Sequence, residues 1–368
     1  MQEQLKNNVT RRYFLESTTK FCCHIGLSTI FLACLAEESG NNELRPNSDF
    51  TGTAGNDFEP AYLKLHKTGE LKKRAEKLWE MMESCRLCPK MCGVNRLRGE
   101  EGFCRSPGAR LVVSSFMPHF GEERPLVGRG GSGTIFLSHC GLRCVFCQNW
   151  EISQLGRGQR RQEDDLAAMM LRLQSIGCHN INVVTPSHYS ASILKALDIA
   201  AGKGLRLPVV YNTCGWERLE ILELLDGVVD IYLPDFKFWD GEISARLTAA
   251  GAVDYPEVTR EAILEMNRQV GVAKPAEGGI MQRGLMIRHL VMPNNAGGSE
   301  EIMEWIAEEL PKDTYVNIMA QYNPLYKAYD YPEISRRITR DEYRTVVRKA
   351  EEVGLTNLDV QTFWWLQR

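Results

Sequence analysis

The chain has 368 residues, enough to bury a large core as one domain with an appendage or as two domains. Its 44 Lys and Arg against 47 Asp and Glu leave a net charge of −3, which excludes a bulk electrostatic draw toward nucleic acid, and no nucleic-acid partner is expected. With 43% hydrophobic and 25% charged residues the composition is that of a globular protein, and beyond the N-terminus no stretch is apolar enough to span a bilayer.

Residues 1–36 read as a targeting segment. Thr10-Arg11-Arg12-Tyr13-Phe14-Leu15 has the form of a twin-arginine export signal, and a mostly apolar run follows from Phe21 to Ala36. Small residues near Ala33–Ala36 offer a cleavage site, and Ala33-Cys34 is a weak candidate for lipid attachment. The alternative is an N-terminal helix with a chance arginine pair. Membrane contact is expected only through this segment, and residues 37–58 read as a polar linker.

Residues 59–132 are expected to form a helix and a cysteine module. Of the twelve cysteines, seven fall in two tight groups, and in a large chain with helix and strand patterning such groups favour metal over disulfides. The first group, Cys85, Cys88, Cys92 and Cys104, has the spacing C-x2-C-x3-C-x11-C. Four thiolates so close complete either a zinc site or a 4Fe–4S cluster, and the spacing does not separate the two. A closed four-thiolate site has no open position, so it would staple the fold, face a substrate or carry electrons. The glycines of Gly128–Gly133 match the letters of a dinucleotide fingerprint but precede a strand instead of following one, and read as a flexible turn.

Residues 133–368 show the βα rhythm of a parallel sheet. Strands are predicted at Thr134–Ser138, Ile181–Val184, Pro208–Tyr211, Val228–Leu233, Leu285–Val291 and Tyr315–Met319. Leu166, Met169, Met170 and Leu173 recur at helical spacing and predict a helix packed on the sheet. About six units suggest an α/β fold closed as a partial (β/α)6 barrel, with a doubly wound sheet as the competing arrangement. Polar residues follow every predicted strand: His139-Cys140, Thr185–His188, Asn212–Cys214, Asp235–Lys237, Met292–Asn295 and Gln321–Pro324. In parallel folds active sites form at that end of the strands. Cys178 and Cys214 read as small core residues, with Cys214 on the functional rim, and His188 and His289 as satisfied core or rim histidines. Trp364-Trp365 is expected to close the open edge of the barrel.

The second cysteine group lies directly after the first of these strands. Cys140-Gly141-Leu142-Arg143-Cys144-Val145-Phe146-Cys147 has the spacing C-x3-C-x2-C. Three thiolates on one loop can hold one side of a 4Fe–4S cube and leave the fourth iron without a protein ligand, open to a substrate. The competing reading is a zinc or electron-transfer site completed elsewhere, for instance by His139. The spacing, with an aromatic before the last cysteine, resembles the radical S-adenosylmethionine superfamily. Gly131–Ser138, the loop itself, and Gln148-Asn149-Trp150-Glu151-Ile152-Ser153-Gln154 are similar to the group around pyruvate formate-lyase activating enzyme, and the similarity covers roughly residues 80–368.

That resemblance implies a 4Fe–4S cluster on Cys140, Cys144 and Cys147, S-adenosylmethionine bound at its open iron, and reductive cleavage to a 5′-deoxyadenosyl radical that abstracts hydrogen. It implies a glycyl radical enzyme as protein substrate and a flavodoxin- or ferredoxin-type reductant. Radical modification of another peptide, an RNA or a metabolite, and a non-catalytic electron-transfer protein, are the alternatives. The superfamily often holds the cofactor's amino group with Gly-Gly-Glu after the second strand. Here Thr185-Pro186-Ser187-His188 has no carboxylate, which leaves Thr185, Ser187 or a backbone carbonyl. Asn212 and Thr213 stand where contacts to the ribose or carboxylate are expected. Asp235 and Lys237 resemble the Asp-x-Lys of activating enzymes, with a structural ion pair as the alternative, and Pro293 matches a proline near the adenine. Localisation is in conflict: the signal points to export, the cofactor supply to the cytoplasm.

Overall fold

In a computed structural model the structure describes residues 58–276 and 278–361. The targeting segment, nearly all of the linker, and Trp364-Trp365 lie outside the described residues. Among those described, no helix is long and apolar enough to cross a membrane.

Nine strands form one sheet: β1 (Leu111–His119), β2 (Ser132–Leu137), β3 (Gln159–Arg161), β4 (Ile181–Val184), β5 (Val209–Thr213), β6 (Ile231–Pro234), β7 (Gly284–Leu290), β8 (Tyr315–Met319) and β9 (Leu358–Val360). Their spatial order is β3-β1-β2-β4-β5-β6-β7-β8-β9. From β2 to β9 every neighbouring pair is parallel, whereas β1 runs antiparallel to both β2 and β3. The six predicted strands are β2 and β4 to β8. The strand β1 falls in the stretch read from sequence as helix and cysteine module.

The order from β4 onward follows the chain without reversal, so every crossover steps the same way. Right-handed crossovers then lay the helices on one face, which is incompatible with the doubly wound alternative. On that face α3 (Glu163–Ser175) buries Leu166, Met169, Met170 and Leu173 against β1, β2 and β4, and packs beside α4 (Ser190–Gly202). The helices α1 (Tyr62–Lys67) and α2 (Glu70–Glu80) pack on α4. Buried Asp230 ties them down, accepting hydrogen bonds from Ala61 N at 2.8 Å and from Val209 N at 2.9 Å.

Along a strand successive side chains face opposite ways. Val209 and Tyr211 of β5 join the large core under the helices, while Val210 joins a smaller apolar cluster with Ile231, Leu233, Met286 and Tyr315. Asn212 therefore shares the second, inner face with Val210. Gly130 belongs to the turn before β2, where a Cβ would lie 1.9 Å from Gly177 O, so it marks a close backbone approach to the neighbouring turn.

The last long helix, Arg340–Glu352, starts with a capping box: Thr339 Oγ1 accepts from Glu342 N at 3.2 Å and Glu342 accepts from Thr339 N at 2.7 Å. Thr339→Ala is expected to cost about 1 kcal/mol in chemical denaturation. An unchanged denaturation midpoint would mean that the reciprocal pair of hydrogen bonds adds nothing to this helix.

Candidate active site at the carboxyl ends of the strands

The rim beyond the parallel strands concentrates backbone strain. His139 after β2 (φ 73°), Thr185 after β4 (φ 60°), Asn294 and Asn295 after β7 (φ 57° and 52°) and Tyr326 beyond β8 (φ 57°) are all left-handed without being glycine. Such residues persist where surrounding structure over-determines them, and they collect at functional sites.

The three-cysteine loop follows β2 and is clamped on two sides. Val145 N donates to Leu247 O at 2.9 Å, Ala249 N to Arg143 O at 3.0 Å, and Lys327 N to Val145 O at 2.9 Å. Phe146 is 4% exposed and packs at 5.9 Å against the rings of both Phe238 and Tyr322, so it shields the loop from water. Cys140 and Cys144 are buried, and Cys147 stands 3.1 Å from Ser153 Oγ. Burial pushes the Cys144 and Cys147 thiols up, while a hydrogen bond from Cys214 draws Cys140 down against its own burial. Cys214, read from sequence as a core residue on the rim, is half-buried directly after β5. Bound metal would deprotonate the raised thiols outright.

The four-cysteine module abuts this loop. A Cβ on Gly141 would lie 3.3 Å from Cys88 Sγ, and one on Gly102 would lie 3.2 Å from Cys92 Sγ and 3.6 Å from Cys104 Sγ. Cys85, Cys88 and Cys104 are buried, and Gly93 N donates to Cys85 O at 3.0 Å as the chain turns back on itself. Arg96, 1% exposed, fastens the module to the sheet. Its guanidinium donates to Gly108 O at 2.8 Å, to His188 O at 2.6 Å and to Ser106 Oγ at 2.8 Å. Sequence reasoning passed over this buried arginine.

Among the described residues no three His, Cys, Asp or Glu side chains close on a single ion. The soft, loop-borne sulfurs of Cys140, Cys144 and Cys147, the first two buried and the third half-buried, fit an iron–sulfur cluster as a donor set.

On the inner face, three of the predicted contact residues form one network. Arg288 Nε donates to Asp235 Oδ1 at 2.6 Å and Arg288 Nη2 to Asn212 Oδ1 at 2.6 Å, while Lys237 pairs with the other Asp235 oxygen. Glu122 and Glu123 approach Arg288 at 3.7 and 4.0 Å, and Asn317 Nδ2 donates to Glu123 Oε1 at 2.9 Å. Burial draws the Lys237 pKa down, but the Asp235 carboxylate outweighs it and holds the ammonium above its ordinary range. For Asp235 burial pushes upward, and the charges of Arg288 and Lys237 overcome it.

Ser187 and Thr213 point elsewhere. Both hydroxyls donate to Glu217, which is 1% exposed and which burial pushes up to about 7. Thr185 N donates to Asn212 O at 2.9 Å, and Pro293 opens the turn after β7. His188 and His289 are structural, the first against Ser138 O at 3.0 Å and the second between Phe236 O and Ser299 Oγ. Arg288 had a readable signal, an arginine inside an otherwise apolar strand; Glu122 and Glu217 had none.

No protein-family model matches the chain. It is 34% identical over 324 residues to the uncharacterized protein MJ0674 of Methanocaldococcus jannaschii, covering 86% of this chain and 87% of that one. Among solved structures it is similar to Streptococcus suis SuiB bound to precursor peptide SuiA, at a TM-score of 0.43 and 12% identity over 61% of this chain. That match spans 47% of SuiB, so the chain corresponds to about half of its length. A radical SAM methyltransferase from Sphaerobacter thermophilus matches at a TM-score of 0.39 and 12% identity, over 64% of this chain and 68% of the other. Likenesses this distant do not speak for function.

Proposed function

The chain belongs to the family of the uncharacterized protein MJ0674, and from that premise, which carries no activity with it, we propose that it is a radical S-adenosylmethionine enzyme. The observation that carries the reading is a clamped loop of three buried or half-buried cysteines directly after a parallel strand, with a buried ion-pair network on the same rim. A 4Fe–4S cluster on Cys140, Cys144 and Cys147 would supply the electron that cleaves S-adenosylmethionine. The remaining work falls to this chain's own side chains. Phe146 keeps water from the sulfurs, Lys237 offsets thiolate charge, and Arg288 and Asp235 hold Asn212 on the inner face toward the cofactor's polar groups. In this reading the sheet curls as a partial (β/α)6 barrel around that face, and the four-cysteine module carries a second 4Fe–4S cluster or zinc.

A glycyl radical enzyme is the favoured substrate; another peptide, an RNA or a metabolite is the alternative within the same chemistry. The contact between Gly141 and Cys88 favours one further reading, a two-centre electron carrier without radical chemistry. Anaerobic reconstitution followed by dithionite and S-adenosylmethionine separates them. The enzyme produces 5′-deoxyadenosine and methionine, and reconstituted protein that carries iron and sulfide yet yields neither belongs to the carrier reading.

A further inference from the structure

The outer side of the four-cysteine module carries exposed arginines. Arg98, Arg105 and Arg110 are exposed along the module and its exit into β1. The antiparallel edge brings a fourth, since Arg160 of β3 pairs with Val112 of β1. Arg110 and Arg160 line, with buried Arg96, a hollow of about 290 Å³. Among the described residues none of these four exposed arginines is in an ion pair, whereas Arg157 nearby is held by Glu151 at 2.6 Å. Of the acids near them in the chain, Glu100 is turned onto Asn95 N at 2.7 Å, Glu163 onto Ser192 Oγ at 2.9 Å, Asp165 onto Gln162 N at 3.0 Å and Asp164 toward Lys203 at 3.8 Å, which leaves Glu101. On a chain of net charge −3 this face is a local inversion of sign. It also lies over the metal-ligand candidates, because Arg105 adjoins Cys104 and Cys88 adjoins Gly141 of the three-cysteine loop.

We propose that Arg98, Arg105, Arg110 and Arg160 form the docking surface for a small, acidic, one-electron carrier protein. The inference rests on the radical S-adenosylmethionine reading, which consumes electrons one at a time. Unpaired arginines give an acidic partner a face to pair with, so the patch selects orientation as well as raising the encounter rate. One electron would leave the carrier's reduced centre, which is oxidised by one unit, and would be taken up by a 4Fe–4S cluster held by Cys140, Cys144 and Cys147, which is reduced by one; no bond is made or broken. RNA, the other polyanion such a face could hold, is disfavoured because the one aromatic between Arg98 and Arg110 in the chain, Phe103, is half-buried and its ring is already covered by Lys90 and Arg143 at 4.7 and 5.2 Å.

The test uses the reconstituted full chain and its R98E/R110E/R160E variant, mixed with reduced flavodoxin in stopped flow, and separately with dithionite. The account expects the flavodoxin rate to fall roughly tenfold or more at low ionic strength, with the gap closing as salt rises, and dithionite to reduce both proteins alike. Equal flavodoxin rates overturn the docking surface, and so does RNA retention by the wild type that the variant loses while its flavodoxin rate is unchanged. Wild-type protein whose reconstituted centres dithionite cannot reduce overturns the underlying radical reading instead.

Discussion

Cys144→Ala, reconstituted without oxygen, is expected to lose 5′-deoxyadenosine formation by at least about a hundredfold. Removing even an outer-shell partner of a metal ligand costs ten- to a hundredfold, and Cys144 is read as a ligand itself. The contrast lies in Cys178→Ala. That thiol is also buried, but it packs beside Gly133 away from the loop, so its loss should cost about 1 kcal/mol of stability and leave the product yield unchanged. Iron and sulfide content read on the same samples distinguishes a missing ligand from a misfolded chain. If Cys144→Ala retains full product yield, the loop is not the metal site.

Asp235→Ala should be the most destabilising change on the inner face. The carboxylate faces two cations, Arg288 and Lys237, and its removal leaves both under-compensated. Breaking a buried pair in this way costs about 3–5 kcal/mol, and the three side chains retain 13–15% exposure, which points to the lower end. Asp235→Asn keeps the shape and loses the charge, so it should fall between the wild type and the alanine variant. The pH dependence has a definite sign. The folded pKa of Asp235 is lowered, so its contribution is fully present above the ordinary Asp value near about 3.9 and is lost as pH falls through the folded value. Urea midpoints at pH 7 and pH 4 should both show the gap between wild type and variant, and it should close only in stronger acid. A variant as stable as the wild type at neutral pH would mean that Arg288 and Lys237 find other partners.

Much of the fold was legible because its parallel strands are short β-branched runs set between helices. Ile181–Val184 and Tyr315–Met319 fall where the sequence puts them, and the helix over Leu166–Leu173 shows its buried stripe directly. What escaped was structure made by pairing. The strand β3 is Gln159-Arg160-Arg161, with no β-forming residue, and exists because β1 offers it an edge; β9 depends likewise on β8. The site divides along the same line. The cysteine spacings are local and could be read, as could Asp235 and Lys237 two residues apart. Glu122 reaches Arg288 from 166 positions earlier in the chain, a contact that only the folded sheet creates. Ser187 and Thr213 lie on the predicted rim, yet their hydroxyls answer a buried carboxylate, Glu217, because an uncompensated acid in the core costs more than two lost solvent contacts.

A cluster on Cys140, Cys144 and Cys147 would leave one iron free to bind S-adenosylmethionine. The direct test is the electron paramagnetic resonance spectrum of reduced, oxygen-protected protein before and after S-adenosylmethionine is added. Direct ligation shifts the g-values of the three-cysteine cluster and leaves any signal from the four-cysteine module where it was. A spectrum that S-adenosylmethionine does not change would contradict the account.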